Sequence, residues 1–159
     1  MIGAIEPEAL EPHVVCPNED RAKRPIHLQG RQFAVKATGR DTGGGFAAGL
    51  LRAEPMSGPP LHLRTREDEW YYILKGEFAF EVGDRCFIAV TGTSIFAPRE
   101  VPHTWQNFTD EVAEALKVLT PADMEEDFPE EVIDTLEPAV LEMLMKRHGI
   151  TTLGPPLSR

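Results

Sequence analysis

The stretch HLRTREDEWYYILKG, residues 62–76, combines histidine, arginine, acidic and aromatic residues ahead of a glycine, and it decides the fold. Alternate residues of a β-strand point to the same side of a sheet, so His62 and Arg64 share one face of a strand. By the same alternation, Glu69 and Tyr71 share one face of the strand that follows. The sequence therefore predicts two strands that can direct a histidine, an arginine and a carboxylate into one space.

The surrounding sequence favours an all-β fold. From about residue 31 to residue 119, short apolar runs alternate with Gly, Pro, Asp and Asn, a spacing typical of a β-sandwich or barrel. In EFAFEV, residues 77–82, the phenylalanines share one face and the glutamates the other. The Gly83-Asp84 pair after it predicts a tight hairpin turn. We expect Cys86, in the next strand, to pack inside as a small apolar side chain.

The two ends of the chain have different patterns. Residues 1–30 contain prolines and little periodicity, which is typical of an arm that packs on or pairs with another element. After Thr120 the period becomes helical, with Thr120 as a cap and Pro121 at the first position of one helix. A second helix runs from about Pro138 to Gly149, and the tail after it is expected to be extended. The apolar stripe of the second helix, expected to pack on the barrel, consists of Val140, Leu141, Leu144 and Met145.

These segments together predict one domain, residues 1–159. The arm covers residues 1–30, the barrel residues 31–119, and the C-terminal helical segment and tail residues 120–159. A chain of this length suits a single hydrophobic core.

Composition limits the classes of partner. The formal net charge of −10 argues against a nucleic-acid or anionic-membrane partner, because no basic patch would dominate the surface field. No apolar run approaches the roughly 20 residues of a membrane span, and the acidic, proline-broken N-terminus does not resemble a secretory signal. We therefore expect a cytoplasmic protein with a small-molecule ligand and reduced cysteines.

A second stretch, PREVPHTWQN, residues 98–107, places His103, Trp105 and Asn107 on one face of another strand. If these inner faces point into one barrel, His62, Glu69 and His103 converge. Two imidazoles and one carboxylate can hold a divalent transition metal with open coordination positions. Any one of these histidines taken alone is better explained as a hydrogen-bonded strand residue.

The two stretches resemble the two conserved motifs of the cupin superfamily. The first motif contains His-x-His, then Glu and Gly, and here His62, Glu69 and Gly76 match while Arg64 occupies the second histidine position. The second motif is matched at Gly92, Pro98, His103 and Asn107.

The second motif departs from the family pattern at Glu100, where a glycine is usual. A glycine adopts a positive φ without steric cost, whereas glutamate does not. We therefore expect the loop before His103 to follow another path.

The resemblance implies a cupin double-stranded β-helix, or jelly-roll barrel, followed by C-terminal α-helices. The wider sequence is similar to single-domain cupins related to quercetin dioxygenase. By this resemblance His62, Glu69 and His103 would bind Fe, Mn, Ni or Zn, and Glu69 would act as ligand or base. Tyr71 and Trp105 would line the substrate pocket.

Arg64 leaves three alternatives, because a guanidinium has no lone pair for a metal. In the first, Arg64 swings towards solvent and leaves a three-ligand metal centre. In the second, Arg64 turns inward, pairs with Glu69 and replaces the metal. In the third, the residues are purely structural. In the second case Arg64 would bind the substrate. We expect the neighbouring Glu67 and Asp68 to be surface residues that pair with Arg64 or Arg66.

Three functions follow from these alternatives. The first is a metal-dependent dioxygenase of the quercetin dioxygenase-like type. The second is a metal-free cupin that binds a small anionic ligand through Arg64. The third is a non-enzymatic, dimeric ligand-sensing module. A homodimer is expected in each case, because exposed edge strands need covering.

Overall fold

The computed structural model describes residues 9–21, 26–122 and 137–159. In these ranges the chain forms mostly β-strands and one helix. The strands, in chain order, are β1 (Ile26–Leu28), β2 (Arg31–Ala37), β3 (Ala47–Ala53), β4 (Leu61–Arg64), β5 (Asp68–Lys75), β6 (Glu77–Val82), β7 (Arg85–Val90), β8 (Ser94–Ala97), β9 (His103–Gln106), β10 (Ala113–Thr120) and β11 (Ile150–Gly154). Helix α1 spans Pro138–Arg147, between β10 and β11.

The strands form two antiparallel sheets that enclose the core. One sheet has the order β1-β2-β3-β10-β5-β8 and the other the order β11-β4-β9-β6-β7. Aromatic side chains meet between them: the ring of Tyr71 lies edge-on to Phe80 at 5.3 Å between centroids. Trp105 lies edge-on to Phe78 at 5.2 Å. The predicted all-β jelly-roll fold is confirmed.

The predicted hairpin is present, and it corrects the prediction for Cys86. Phe78 is fully buried, as the alternation in β6 predicts, and Gly83 turns the chain with a φ of 60°. The register pairs Cys86 with Glu81 across the hairpin, so Cys86 lies on the outer face and is exposed. The expectation that Cys86 packs inside is therefore wrong.

The C-terminal segment differs from expectation in part. Thr120 is the last residue of β10 and not a helix cap. The helix predicted after it falls mainly on residues 123–136, which lie outside the described residues. Helix α1 begins at Pro138 and is followed by Gly149, as predicted, and the expected extended tail forms β11 on β4.

The described part of the N-terminal arm packs along β2. The Arg21 amide donates to the Val35 carbonyl at 2.8 Å, and the Val35 amide donates to the Asp20 carboxylate at 2.6 Å. The Lys36 ammonium donates to the Glu19 carbonyl at 2.5 Å. These contacts confirm that the arm packs on another element of the same chain.

In the described ranges, no helix has both the length and the hydropathy that a membrane span requires.

Gly58 precedes β4 at a place where backbones come very close. A Cβ atom added there would overlap the Trp105 carbonyl oxygen and the Gln106 side-chain oxygen. Because the first of these atoms belongs to the backbone, relief requires a main-chain shift and not a rotamer change.

We predict that Gly58→Ala lowers the free energy of unfolding by about 3 kcal/mol, the upper range for overpacking. Gly154→Ala is the matched control, since the nearest atom to its added Cβ would lie at an ordinary 3.7 Å. Urea denaturation at pH 7 measures both. Equal stability of the two variants would show that the backbone approach at Gly58 is not tight.

Candidate functional site

Four strands direct polar side chains into the barrel. His62 and Arg64 come from β4, Glu69 from β5, His103 from β9 and Lys117 from β10. His62 lies opposite His103 in the register of β4 and β9, and their ring centroids are 4.5 Å apart. The sequence-predicted convergence of His62, Glu69 and His103 is thus present in the structure.

Glu69 is the centre of this cluster and is fully buried. Its Oε1 accepts from Arg64 Nε at 2.5 Å and forms an ion pair with Lys117 Nζ at 2.7 Å. Its Oε2 accepts from the Tyr71 hydroxyl at 2.6 Å and lies 2.6 Å from His103 Nε2. A carboxylate has about four lone-pair directions, so these partners use the acceptor capacity of Glu69 in full.

The surroundings fix the charge of Glu69. Burial alone would raise the pKa of its carboxyl, but the positive charges of Lys117 and Arg64, together with the His103 contact, hold that pKa well below its usual range. Burial and the adjacent Glu69 raise the pKa of the Tyr71 hydroxyl well above its usual value. Tyr71 is therefore a neutral donor to an ionised carboxylate.

The two histidines have different hydrogen-bond partners. His103 Nδ1 lies 3.0 Å from the Val101 carbonyl, and its Nε2 lies 2.6 Å from Glu69 Oε2, so both ring nitrogens face acceptors. His62 Nδ1 donates to the Pro60 carbonyl at 2.9 Å, while burial lowers the pKa of His62 to about 4. His62 is therefore neutral at pH 7, with a free lone pair on Nε2.

Arg64 turns inward, which is the second of the three predicted alternatives. Besides Glu69, its NH1 reaches Glu67 Oε2 at 3.5 Å. Glu67 is only 8% exposed, so the expectation of a surface residue is wrong, because the inward guanidinium draws this carboxylate with it. Asp68 pairs with Arg99 at 3.0 Å and not with Arg64 or Arg66.

Lys117 is the residue that the sequence prediction missed. It follows Ala113 and Ala115 on the inner face of β10, where an apolar residue would continue the pattern. Its ammonium lies near the rings of Phe33 and Tyr71, at 6.0 Å and 5.6 Å from their centroids. A lysine at an inward position of an alternating strand was the only sequence signal, and it does not reveal the partner.

Glu100 corrects another expectation. It adopts a φ of 65°, the left-handed conformation that a glycine would supply. Its amide donates to the Arg64 carbonyl at 2.7 Å, a bond that holds the loop before His103 against the end of β4. The loop therefore keeps the path expected with glycine, and the strained conformation is offset by this contact.

Trp105 joins the core to the cluster. It is 3% exposed and packs against Phe78, and its side chain forms a hydrogen bond with Tyr71. The Tyr71 hydroxyl in turn bonds to Glu69. The Asn107 amide donates to the carbonyls of Ala53 and Glu111 at 3.1 Å and 2.7 Å, which secures the chain after β9.

The cluster meets the distance requirement for a metal site but not the chemical one. Ligand atoms of His62, Glu69 and His103 lie within 4.8 Å of one another, so the three residues could hold an ion. Glu69, however, is saturated by four partners, and His103 Nε2 is one of them, at 2.6 Å. Two fixed cations, Arg64 and Lys117, adjoin the carboxylate. As arranged, these residues do not fit a divalent metal.

We predict that Glu69→Gln lowers the free energy of unfolding by about 3 to 5 kcal/mol, because it leaves buried cations without their counter-charge. Asp68→Asn is the control: its partner Arg99 is 42% exposed in the side chain, and such pairs contribute at most about 1 kcal/mol. Urea unfolding at pH 7 compares them. A small effect of Glu69→Gln would show that the Glu69 carboxylate is not an ionised group on which the buried cations depend.

A pH effect should follow from His62. Its pKa is about 4 in the folded state and about 6.5 when unfolded, so the unfolded chain binds a proton first as pH falls. Wild-type stability should therefore decline between pH 6.5 and 4 by up to about 3 kcal/mol more than that of His62→Asn. Parallel stability curves for the two proteins would show that His62 is not held neutral.

Comparison with known proteins agrees with this architecture. Residues 49–119 match the family described as the Cupin domain. No curated protein sequence was similar enough to this chain to count as a relative. Among solved structures, a predicted oxalate decarboxylase from Thermotoga maritima aligns with a TM-score of 0.63 at 21% identity, over 69% of this chain and 99% of that one.

Two further structures show the same fold. An RmlC-like cupin from Shewanella frigidimarina has a TM-score of 0.61 at 18% identity, over 74% of this chain and 96% of its own. KdgF from a Halomonas species has a TM-score of 0.60 at 14% identity, over 71% and 96%. Residues 49–119 are therefore similar to the Cupin domain, and the chain has the fold of these cupin structures.

Proposed function

We propose that this protein is a metal-independent cupin that binds a small carboxylate or enolate inside its barrel. One observation carries the proposal: Arg64 stands where the motif has a metal-binding histidine, and its Nε bonds to the buried Glu69 carboxylate at 2.5 Å. A guanidinium in this position supplies positive charge without a metal. The ligand would take the place that substrate takes beside a metal.

The charge of the cluster supports an anionic ligand. Arg64 and Lys117 place two positive charges against one oxygen of Glu69, and the charge of Arg31 also acts on Lys117. Cations are therefore concentrated here, although the chain as a whole carries −10. The side chains of Arg64 and Lys117 are largely buried, where electrostatic attraction is stronger than in water.

The side chains also indicate how a ligand reaches the cluster. Glu69 and His103 are sealed, with side-chain exposures of 0% and 1%. The side chains of Arg64 and Lys117 are 14% and 16% exposed, so the cations connect the sealed carboxylate to solvent. An entering anion would meet the cationic groups first.

Proton transfer would be the chemistry of such a site. The free Nε2 of neutral His62 accepts a proton, and a cation beside the ligand stabilises the enolate formed when a proton leaves the carbon next to a carboxylate. His103 can return a proton only by giving up its bond to Glu69. The arrangement supports isomerase-type acid–base chemistry, with His62 as base and Arg64 as anchor.

A metal-dependent dioxygenase is the second candidate, favoured by the close approach of His62, Glu69 and His103. That function requires Arg64 and Lys117 to leave Glu69, and His103 Nε2 to turn from Glu69 to the metal. The metal, once bound, would supply open positions for substrate and dioxygen.

Binding of acetate, lactate, pyruvate and oxalate, the last a mimic of an enolate, tests the proposal by protein-observed NMR titration. We expect at least one to bind in the barrel, and Arg64→Gln to weaken it about tenfold or more, since a charge-assisted hydrogen bond is lost. Arg99→Gln, which removes a surface arginine, is the matched control and should bind normally. Unchanged binding by Arg64→Gln would rule out the anchor.

Metal titration separates the two candidates. Wild-type protein should bind Zn(II) or Mn(II) at least about 100-fold more weakly than Arg64→His, which removes a cation and adds an imidazole ligand. Stoichiometric, tight binding by wild-type protein, lost in His103→Ala, would favour the dioxygenase candidate instead.

A further inference from the structure

Lys117 has unused hydrogen-bonding capacity at the same carboxylate as Arg64. An ammonium has three donors, and among the described residues Glu69 is its only ion-pair partner. Arg64 has five N–H donors, of which the structure pairs one with Glu69 and one with Glu67. Both cations contact the same oxygen, Glu69 Oε1, so the two groups lie side by side at one end of the carboxylate.

The position of Lys117 is built into the fold. In the register, Lys117 lies between Gly49 of β3 and Tyr71 of β5. The ring of Phe33 lies over Gly49 so closely that a Cβ atom there would fall 2.5 Å from it. The absent side chain at Gly49 thus lets Phe33 cover one side of the lysine, while Tyr71 covers the other. The ammonium is held in the barrel by these rings and by Glu69.

His62 also lies at the cluster, but it offers a hydrogen-bond acceptor, whereas Arg64 and Lys117 offer donors. His62 donates through Nδ1 to Pro60, which leaves Nε2 as an acceptor. His62 is only 6% exposed and lies beside His103, at 4.5 Å between ring centroids. The cluster therefore offers two cationic donors and, at His62 Nε2, one acceptor.

We propose that the ligand is a small 2-hydroxy carboxylate or the enol form of a 2-oxo acid, with its carboxylate shared by Arg64 and Lys117 and its hydroxyl donated to His62. In such a molecule the hydroxyl is on the carbon next to the carboxylate. This suits two cations that contact Glu69 Oε1 and a His62 ligand atom within 4.8 Å of Glu69. This assignment rests on the proposed function and adds Lys117 as a second anchor and His62 as the group that selects the hydroxyl.

Lactate, propionate and lactamide form a matched set of probes: propionate lacks the hydroxyl, and lactamide lacks the charge. In NMR titrations, wild-type protein should bind lactate more tightly than either of the others. Lys117→Met should weaken lactate and propionate about tenfold or more and leave lactamide nearly unchanged, because only the charged group meets the ammonium. Lys117→Arg should restore much of the loss, and Lys75→Met, on the surface, should have no effect.

The ratio of lactate to lactamide affinity distinguishes a contact from a structural defect, because misfolding would weaken both probes equally. If Lys117→Met does not fold, the ratio of lactate to lactamide affinity in wild-type protein and in Lys117→Arg still tests the assignment. A preference for lactate in both proteins supports it. Equal affinity of wild-type protein for lactate and lactamide, or unchanged lactate binding by folded Lys117→Met, would overturn the assignment. If wild-type protein binds acetate or propionate at least as tightly as it binds lactate, pyruvate and oxalate, the ligand class is wrong while the proposed function stands. If it binds no carboxylate at all, the proposed function is also wrong.

Discussion

The buried carboxylate of Glu69 is the constraint on which the site depends. An ionised carboxylate without solvent is costly, and it is tolerated only when charge and hydrogen bonds compensate it. Here the compensation comes from four side chains on four segments: Arg64, Lys117, Tyr71 and His103. Their bonds to one carboxylate tie β4, β5, β9 and β10 together inside the barrel, so a stability requirement and the geometry of the site coincide.

Much of this site was predictable from local sequence, because the strand period of two determines which side chains share a face. It predicted that His62, Glu69 and His103 face inward, and that Arg64 accompanies them. It did not reveal Lys117, since its proximity to Glu69 depends on the pairing of β10 with β5, residues far apart in the chain. Local alternation alone also cannot decide whether Arg64 points to solvent or to a carboxylate.

The remaining errors share a physical cause, which is that long-range contacts override local preference. Cys86 is apolar enough for the core, but the hairpin register pairs it with the outward-facing Glu81. Thr120 and Pro121 have the chemistry of a helix start, yet Thr120 completes the pairing of β10 with Asp68. Glu100 accepts a left-handed conformation because its amide gains a bond to the Arg64 carbonyl. In each case tertiary pairing determined the outcome.

One claim is central: protein donors, and not a metal ion, occupy the lone pairs of Glu69. The most direct test is ¹⁵N NMR of the histidine side chains at pH 7, before and after addition of Zn(II). We expect His62 to be neutral with its proton on Nδ1, and neither histidine ring to change with Zn(II). Nε2 signals of both histidines shifted together by one equivalent of Zn(II) would contradict the claim and establish a metal centre.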